Sequence, residues 1–261
     1  MLHKHKMYLT LFYRSIFYEP QHPMYKKGGD IMKVFEIRLK LFLMKDIIAR
    51  DIFNKLNSFI DGTLSKDEEL LKIHKTNKFK YYCFNGLYPV EKDKVYKQDN
   101  IYTLTLRTID SKLADFFYRV LVNEFNDTFK ALKADIKIIP KKHIDKVFSI
   151  TPVILKTENG YWKNNLTIDD FERRLKENLI KKYNYIMNTK IDEDFELYNS
   201  IEFNNKKPIS MTYKNINLLG DKVTLNIADN KTAQELLYMS IGTGILEMNS
   251  RGFGFINYRY L

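Results

Sequence analysis

A chain of 261 residues, 44% hydrophobic and 14% aromatic, has room for one large domain or two ordinary ones and is too apolar to be disordered. Its formal net charge of +11 favours polyanionic partners, nucleic acid first and an anionic membrane surface second. Cys83 is the only cysteine, which excludes an internal disulfide or a thiolate zinc cluster and suits a reducing cytoplasm, and no run of about 20 apolar residues offers a membrane span. Residues 1–31 look foreign to the rest of the chain, with three of the five histidines (His3, His5, His22) and a stretch ending Lys26-Lys27-Gly28-Gly29-Asp30. A purine-rich ribosome-binding site read in frame yields such a stretch, so translation is expected to begin at Met32, with 1–31 a non-native or disordered extension.

From Val34 the pattern becomes regular. Phe35, Ile37, Leu39, Leu41 and Leu43 alternate with Glu36, Arg38 and Lys40, as in a half-buried strand. Residues 46–74 have helical spacing with a break near Gly62, 81–87 and 101–107 are predicted strands, Ser111 is expected to cap a helix over 113–125, and 136–139 closes the set as a strand. The second half repeats this order. A strand is expected over 148–155, then a helix opened by a Thr167/Asp170 capping box, burying Phe171, Leu175, Leu179 and Tyr183 and presenting Arg173, Arg174, Lys181 and Lys182 on its other face. Strands over 208–218 and 223–227, a helix capped by Thr232 with Glu235, and a last strand over 252–260 complete it. Two βαββαβ units in tandem predict an α+β fold of two ferredoxin-like domains, 32–140 and 147–261, with 141–146 as linker.

The end of the chain carries the most specific pattern. Residues 251–258 match the octamer of RNA-recognition motifs, but here it would form a terminal strand rather than a third one, so the match is read as coincidental. Gly242-Thr243-Gly244, seven intervening residues and Gly252-Phe253-Gly254 close a helix, form a loop and open the last strand. This resembles the C-terminal glycine-rich loop of the CRISPR-associated RAMP proteins, most closely the sixth Cas family of repeat-processing endoribonucleases. Gly242, Gly244, Gly252, Phe253 and Gly254 are then expected to approach RNA, with Arg251 adding a charge-assisted phosphate contact; a helix C-cap with a tight turn is the plainer reading of the same glycines.

The resemblance also implies a catalytic histidine after the first helix of the first domain and a lysine a few residues on. His74 and Lys80 stand there, with Lys75 and Lys78 as flanking phosphate contacts or a solvated basic turn. The implied chemistry is metal-independent cleavage of CRISPR repeat RNA (pre-crRNA) by attack of the 2′-hydroxyl, without a cofactor. Some relatives add a tyrosine on the first helix. Residues 46–74 contain none, and Phe59, near the equivalent place, is expected in the core. His143 is the rival histidine and Asp192–Glu196 a solvated acidic turn. Walker A, G-x-S-x-G and H-E-x-x-H are absent, which removes the commonest nucleotide, hydrolase and zinc-protease readings. The alternative is a non-catalytic RAMP subunit that holds crRNA in an effector complex with other Cas proteins.

Overall fold

The computed structural model describes residues 32–76, 79–214 and 216–261, so the expected extension over 1–31 lies outside the described residues. Strand β1 (Val34–Leu43) turns Phe35, Ile37, Leu39 and Leu41 to one side, where all four are buried. Helices α1 (Ile52–Leu64) and α2 (Glu68–Lys75) come next, then β2 (Tyr82–Phe84), β3 (Ile101–Thr108), α3 (Ser111–Arg119) and β4 (Phe129–Ile139). The strands form an antiparallel sheet in the order β2-β3-β1-β4. Phe53, Leu56, Phe59 and Ile60 of α1 and Leu113, Ala114 and Phe117 of α3 fill the core on one face.

The second half has β5 (Ile144–Ser149), α4 (Ile168–Met187), β6 (Tyr198–Phe203), a hairpin of β7 (Ile209–Tyr213) and β8 (Ile216–Gly220), then β9 (Val223–Ile227), α5 (Lys231–Thr243) and β10 (Ile256–Tyr260). Its sheet runs β6-β9-β5-β10, the order of the first sheet. The fold is thus α+β with two ferredoxin-like units in tandem. Among the described residues no helix is long and apolar enough to cross a membrane.

Several local expectations are corrected. The sheet strand expected over 208–218 is β6, whose sequence Tyr-Asn-Ser-Ile-Glu-Phe is polar because it lies at a sheet edge; residues 209–220 form the inserted hairpin instead. The second half of the linker expected over 141–146 belongs to β5, which ends at Ser149, short of the strand expected to 155. Helix α1 runs through Gly62, and the break falls after Leu64. Asp110, not Ser111, caps α3, accepting from the amides of Lys112 and Leu113, and that helix stops at Arg119. The cap of α5 is Asn230, which accepts from Ala233 N at 2.9 Å, rather than Thr232. The Thr167/Asp170 capping box is present, but Lys182, expected on the exposed face of α4, is buried.

A buried ionic network joins the two sheets. Arg107 on β3 bonds Glu36 on β1 (Nε to Oε2, 2.9 Å), the Ile256 carbonyl (2.6 Å) and Asn257 Oδ1 (2.8 Å), and lies over the Phe255 ring. Burial pushes the Glu36 pKa up, and Arg107, Lys137 and Arg38 more than reverse this, leaving it below its ordinary 4.5. A carboxyl depressed on folding contributes stability that is present above the unfolded value and lost as pH falls through the folded one. Glu36→Gln, which strands the Arg107 charge, should therefore cost about 3–5 kcal/mol near neutrality. In urea unfolding the gap from wild type should narrow as the pH is lowered past 4.5; a gap independent of pH would show that Glu36 is not held as a carboxylate.

Candidate active site

Helix α2 begins where Asp67 accepts from the amides of Glu69 (3.0 Å) and Leu70 (2.9 Å), and it buries Leu70. His74 is the penultimate residue of this helix and Lys75 its last. The side chains of His74 and Lys75, and the whole of Lys78, lie outside the described residues. Lys80 returns toward the helix end, its Nζ donating to the Thr76 carbonyl at 2.7 Å. The lysine is thereby tethered two residues beyond His74.

Arg251 reaches the same place from the other half of the molecule. Its Nη1 lies 2.5 Å from Asp61 Oδ2 on α1, and its carbonyl accepts from Asn57 Nδ2 at 3.2 Å. Burial lowers the Lys80 pKa, and the Arg251 charge lowers it further, with Asp61 opposing. Burial also works against the Arg251 charge, but Asp61 outweighs it and raises that pKa. Tyr82 lies behind this group, 2% exposed; burial and the Asp61 charge hold its hydroxyl protonated well above the ordinary phenol range, against Arg251. Beside it Leu64, Leu70 and Leu113, with Lys80, Tyr82 and Asp110, line a small, largely apolar pocket. Two cations from different halves of the chain thus lie close enough to one carboxylate to feel its charge.

The glycine-rich segment contributes differently from expectation. Gly242, Gly244, Gly252, Phe253 and Gly254 are all buried. Their amides are committed internally: Gly244 N donates to Ser240 O (2.7 Å), Gly252 N to Asn249 O (3.1 Å), Phe253 N to Met248 O (3.3 Å) and Gly254 N to Pro152 O (2.9 Å), while Gly242 lies within α5. Phe253 packs edge-on against Phe53, centroids 5.4 Å apart, inside the first core. At Gly252 (φ +94°) a β-carbon would come 2.6 Å from the Phe53 ring, and at Gly254 (φ +64°) 2.1 Å from the Ile245 carbonyl oxygen. In this structure the glycines let the loop dock tightly on α1, and what the loop presents is the Arg251 side chain. With these amide donors used internally, the glycines act in this structure as a packing device.

Sequence reasoning missed Lys182. Its Nζ donates to Gly244 O (3.0 Å), Leu246 O (2.9 Å) and Asn249 Oδ1 (2.6 Å), and Asn249 in turn holds the Ile245 and Phe253 carbonyls. Burial pushes its pKa down to about 7, whereas three oxygen acceptors call for the three hydrogens of the ammonium form. A signal was available, since 182 falls on the core stripe of Leu175, Leu179 and Ile186. Asp61 had no such signal. Phe59 is in the core, and His143 stands apart with Nε2 3.8 Å from Asp229.

Residues 134–258 match the family model described as CRISPR associated protein Cas6, C-terminal. The chain is 26% identical over 247 residues to the CRISPR-associated endoribonuclease Cas6 2 of Methanocaldococcus jannaschii, a match covering 85% of this chain and 99% of that protein. Among solved structures, one described as CRISPR associated protein Cas6 superposes with a TM-score of 0.64 at 24% identity, covering 87% of this chain and 99% of the other. A second, described as a RAMP protein binding different RNA substrates, gives a TM-score of 0.66 at 20% identity over 86% and 99% of the two chains.

Proposed function

This chain belongs to the Cas6 family, and from that premise we propose that it is an endoribonuclease that cuts CRISPR repeat RNA without a metal ion. The observation that carries the reading is the convergence of Lys80 and Arg251, one from each half of the chain, beside the end of the helix that bears His74. The nucleophile is the substrate's own 2′-hydroxyl. As the bond from O2′ to phosphorus forms and the bond from phosphorus to O5′ breaks, one proton leaves the first oxygen and one reaches the second. A histidine titrates near neutrality and suits either transfer, with solvent water exchanging the other proton. The Lys80 ammonium is placed to stabilise the charge gathering on the non-bridging oxygens. Arg251, already paired with Asp61, supplies positive potential that draws the backbone in and holds Lys80 in a strong local field.

The products are a 2′,3′-cyclic phosphate and a 5′-hydroxyl. Incubating the full chain with its cognate repeat RNA in excess EDTA is expected to give cleavage at one position with those ends. Activity abolished by EDTA and restored by a divalent ion would overturn the metal-independent mechanism. Tight binding without cutting under any condition would assign the chain to the crRNA-holding RAMP subunits instead.

A further inference from the structure

Beside Lys80 an aromatic column runs from the interior to the surface. At its base the Lys182 ammonium lies 5.0 Å from the Phe79 ring centroid. Phe79 meets Tyr81 edge-on, with centroids 5.9 Å apart at 90°. Tyr81 and Tyr185 are near-parallel, 6.2 Å apart at 10°. Both halves of the molecule build the column. The Tyr81 carbonyl is fixed by Thr108 Oγ1 (2.7 Å) and Ile109 N (3.3 Å), whereas Tyr185 stands near the end of α4. Phe79 and Tyr81 are half-buried, and Tyr185 is 45% exposed, so the column ends in a ring open to solvent.

A single exposed aromatic needs no explanation in general. This one caps an ordered series, lies one helical turn beyond the exposed Lys181, and stacks on the residue next to Lys80. We infer that Tyr185 is the stacking platform for one unpaired nucleobase of the RNA, adjoining the phosphate that Lys80 contacts. Every nucleobase offers a π-face, and a tyrosine backed by a second ring offers it with little ordering left to do. Lys181 supplies a cation for a phosphate on the outer side of the base. Holding one base there would steady the strand beside the cut. The inference rests on the RNA-cleaving reading above.

Its test uses the full chain and repeat RNAs made uncleavable by a 2′-deoxy nucleotide at the scissile position. Each RNA carries 2-aminopurine, whose fluorescence is quenched by stacking, at one position around the cut. One position should be quenched on binding, the quench should be lost in Tyr185→Ala and regained in Tyr185→Trp, and affinity should fall on the order of tenfold in the alanine variant. Ile168→Ala, at the exposed far end of the same helix and roughly 25 Å away, should change neither. Quench and affinity that persist in Tyr185→Ala, or fall equally in Ile168→Ala, overturn the platform while cleavage by wild type leaves the nuclease reading standing. A wild-type chain that binds no repeat RNA overturns both.

Discussion

Alanine in place of His74 is expected to slow repeat cleavage about 10²- to 10⁴-fold while leaving repeat binding largely intact. The split comes from the division of labour at the site. Affinity for a polyanion comes from many cations spread over a chain of net charge +11, whereas proton transfer at the scissile phosphate depends on one group in reach of it. Lys80→Ala should cost less, about 10²-fold, because it removes charge stabilisation and no proton carrier. The two are distinguishable by pH. Burial and Arg251 lower the Lys80 pKa, so the ammonium is lost as pH rises through a value below the ordinary 10.5. The wild-type rate should therefore fall on the alkaline side earlier than an exposed lysine would dictate, and Lys80→Ala should lack that limb. Single-turnover rates across pH for wild type and both variants check this. If His74→Ala cuts at the wild-type rate, the proton carrier lies elsewhere, and His143 becomes the histidine to replace.

The features legible in the sequence were local, and the contacts that build the candidate site were long-range. The alternation of β1, the Thr167/Asp170 capping box and the burial of Phe59 depend on residues a few positions apart, where periodicity and capping chemistry are nearly decisive. The repeated βαββαβ order comes from such local signals summed over each half. Strand β6 escaped because an edge strand tolerates polar residues on both faces, while the hairpin of β7 and β8 has more of the alternation of a sheet strand. The pairing of Asp61 with Arg251 spans 190 positions, and nothing in either neighbourhood announces it. The glycine pattern at 242–254 marks an unusual backbone, but sequence could not tell a loop opened toward phosphate from one packed onto Phe53. In the structure the loop amides bond internally, which favours packing.

The adjacent lysines of α4 are expected to differ sharply in their effect on stability. Lys182→Met should destabilise the protein by about 3 kcal/mol, whereas Lys181→Met should stay within about 0.5 kcal/mol. Methionine fills much the same space but donates no hydrogen bond. It would leave the carbonyls of Gly244 and Leu246 and the Asn249 amide oxygen buried without the donor they now share, each at a cost of about 1–3 kcal/mol. Part of that cost is offset, because the wild type buries a charge that methionine does not. Lys181, by contrast, is 77% exposed and pairs with Glu177 at 3.4 Å, a surface pair of small value. In thermal unfolding, Lys182→Met should lower Tm by about 6–12 °C and Lys181→Met by little. Equal effects would mean that the ammonium is not what pins the loop. Function should separate along the same line: Asn249 precedes Arg251 by two residues, and the Lys182 ammonium also faces the Phe79 ring, one residue before Lys80. Loosening Lys182 therefore frees both cations of the site at once, and its cleavage rate should fall even at temperatures where the variant remains folded.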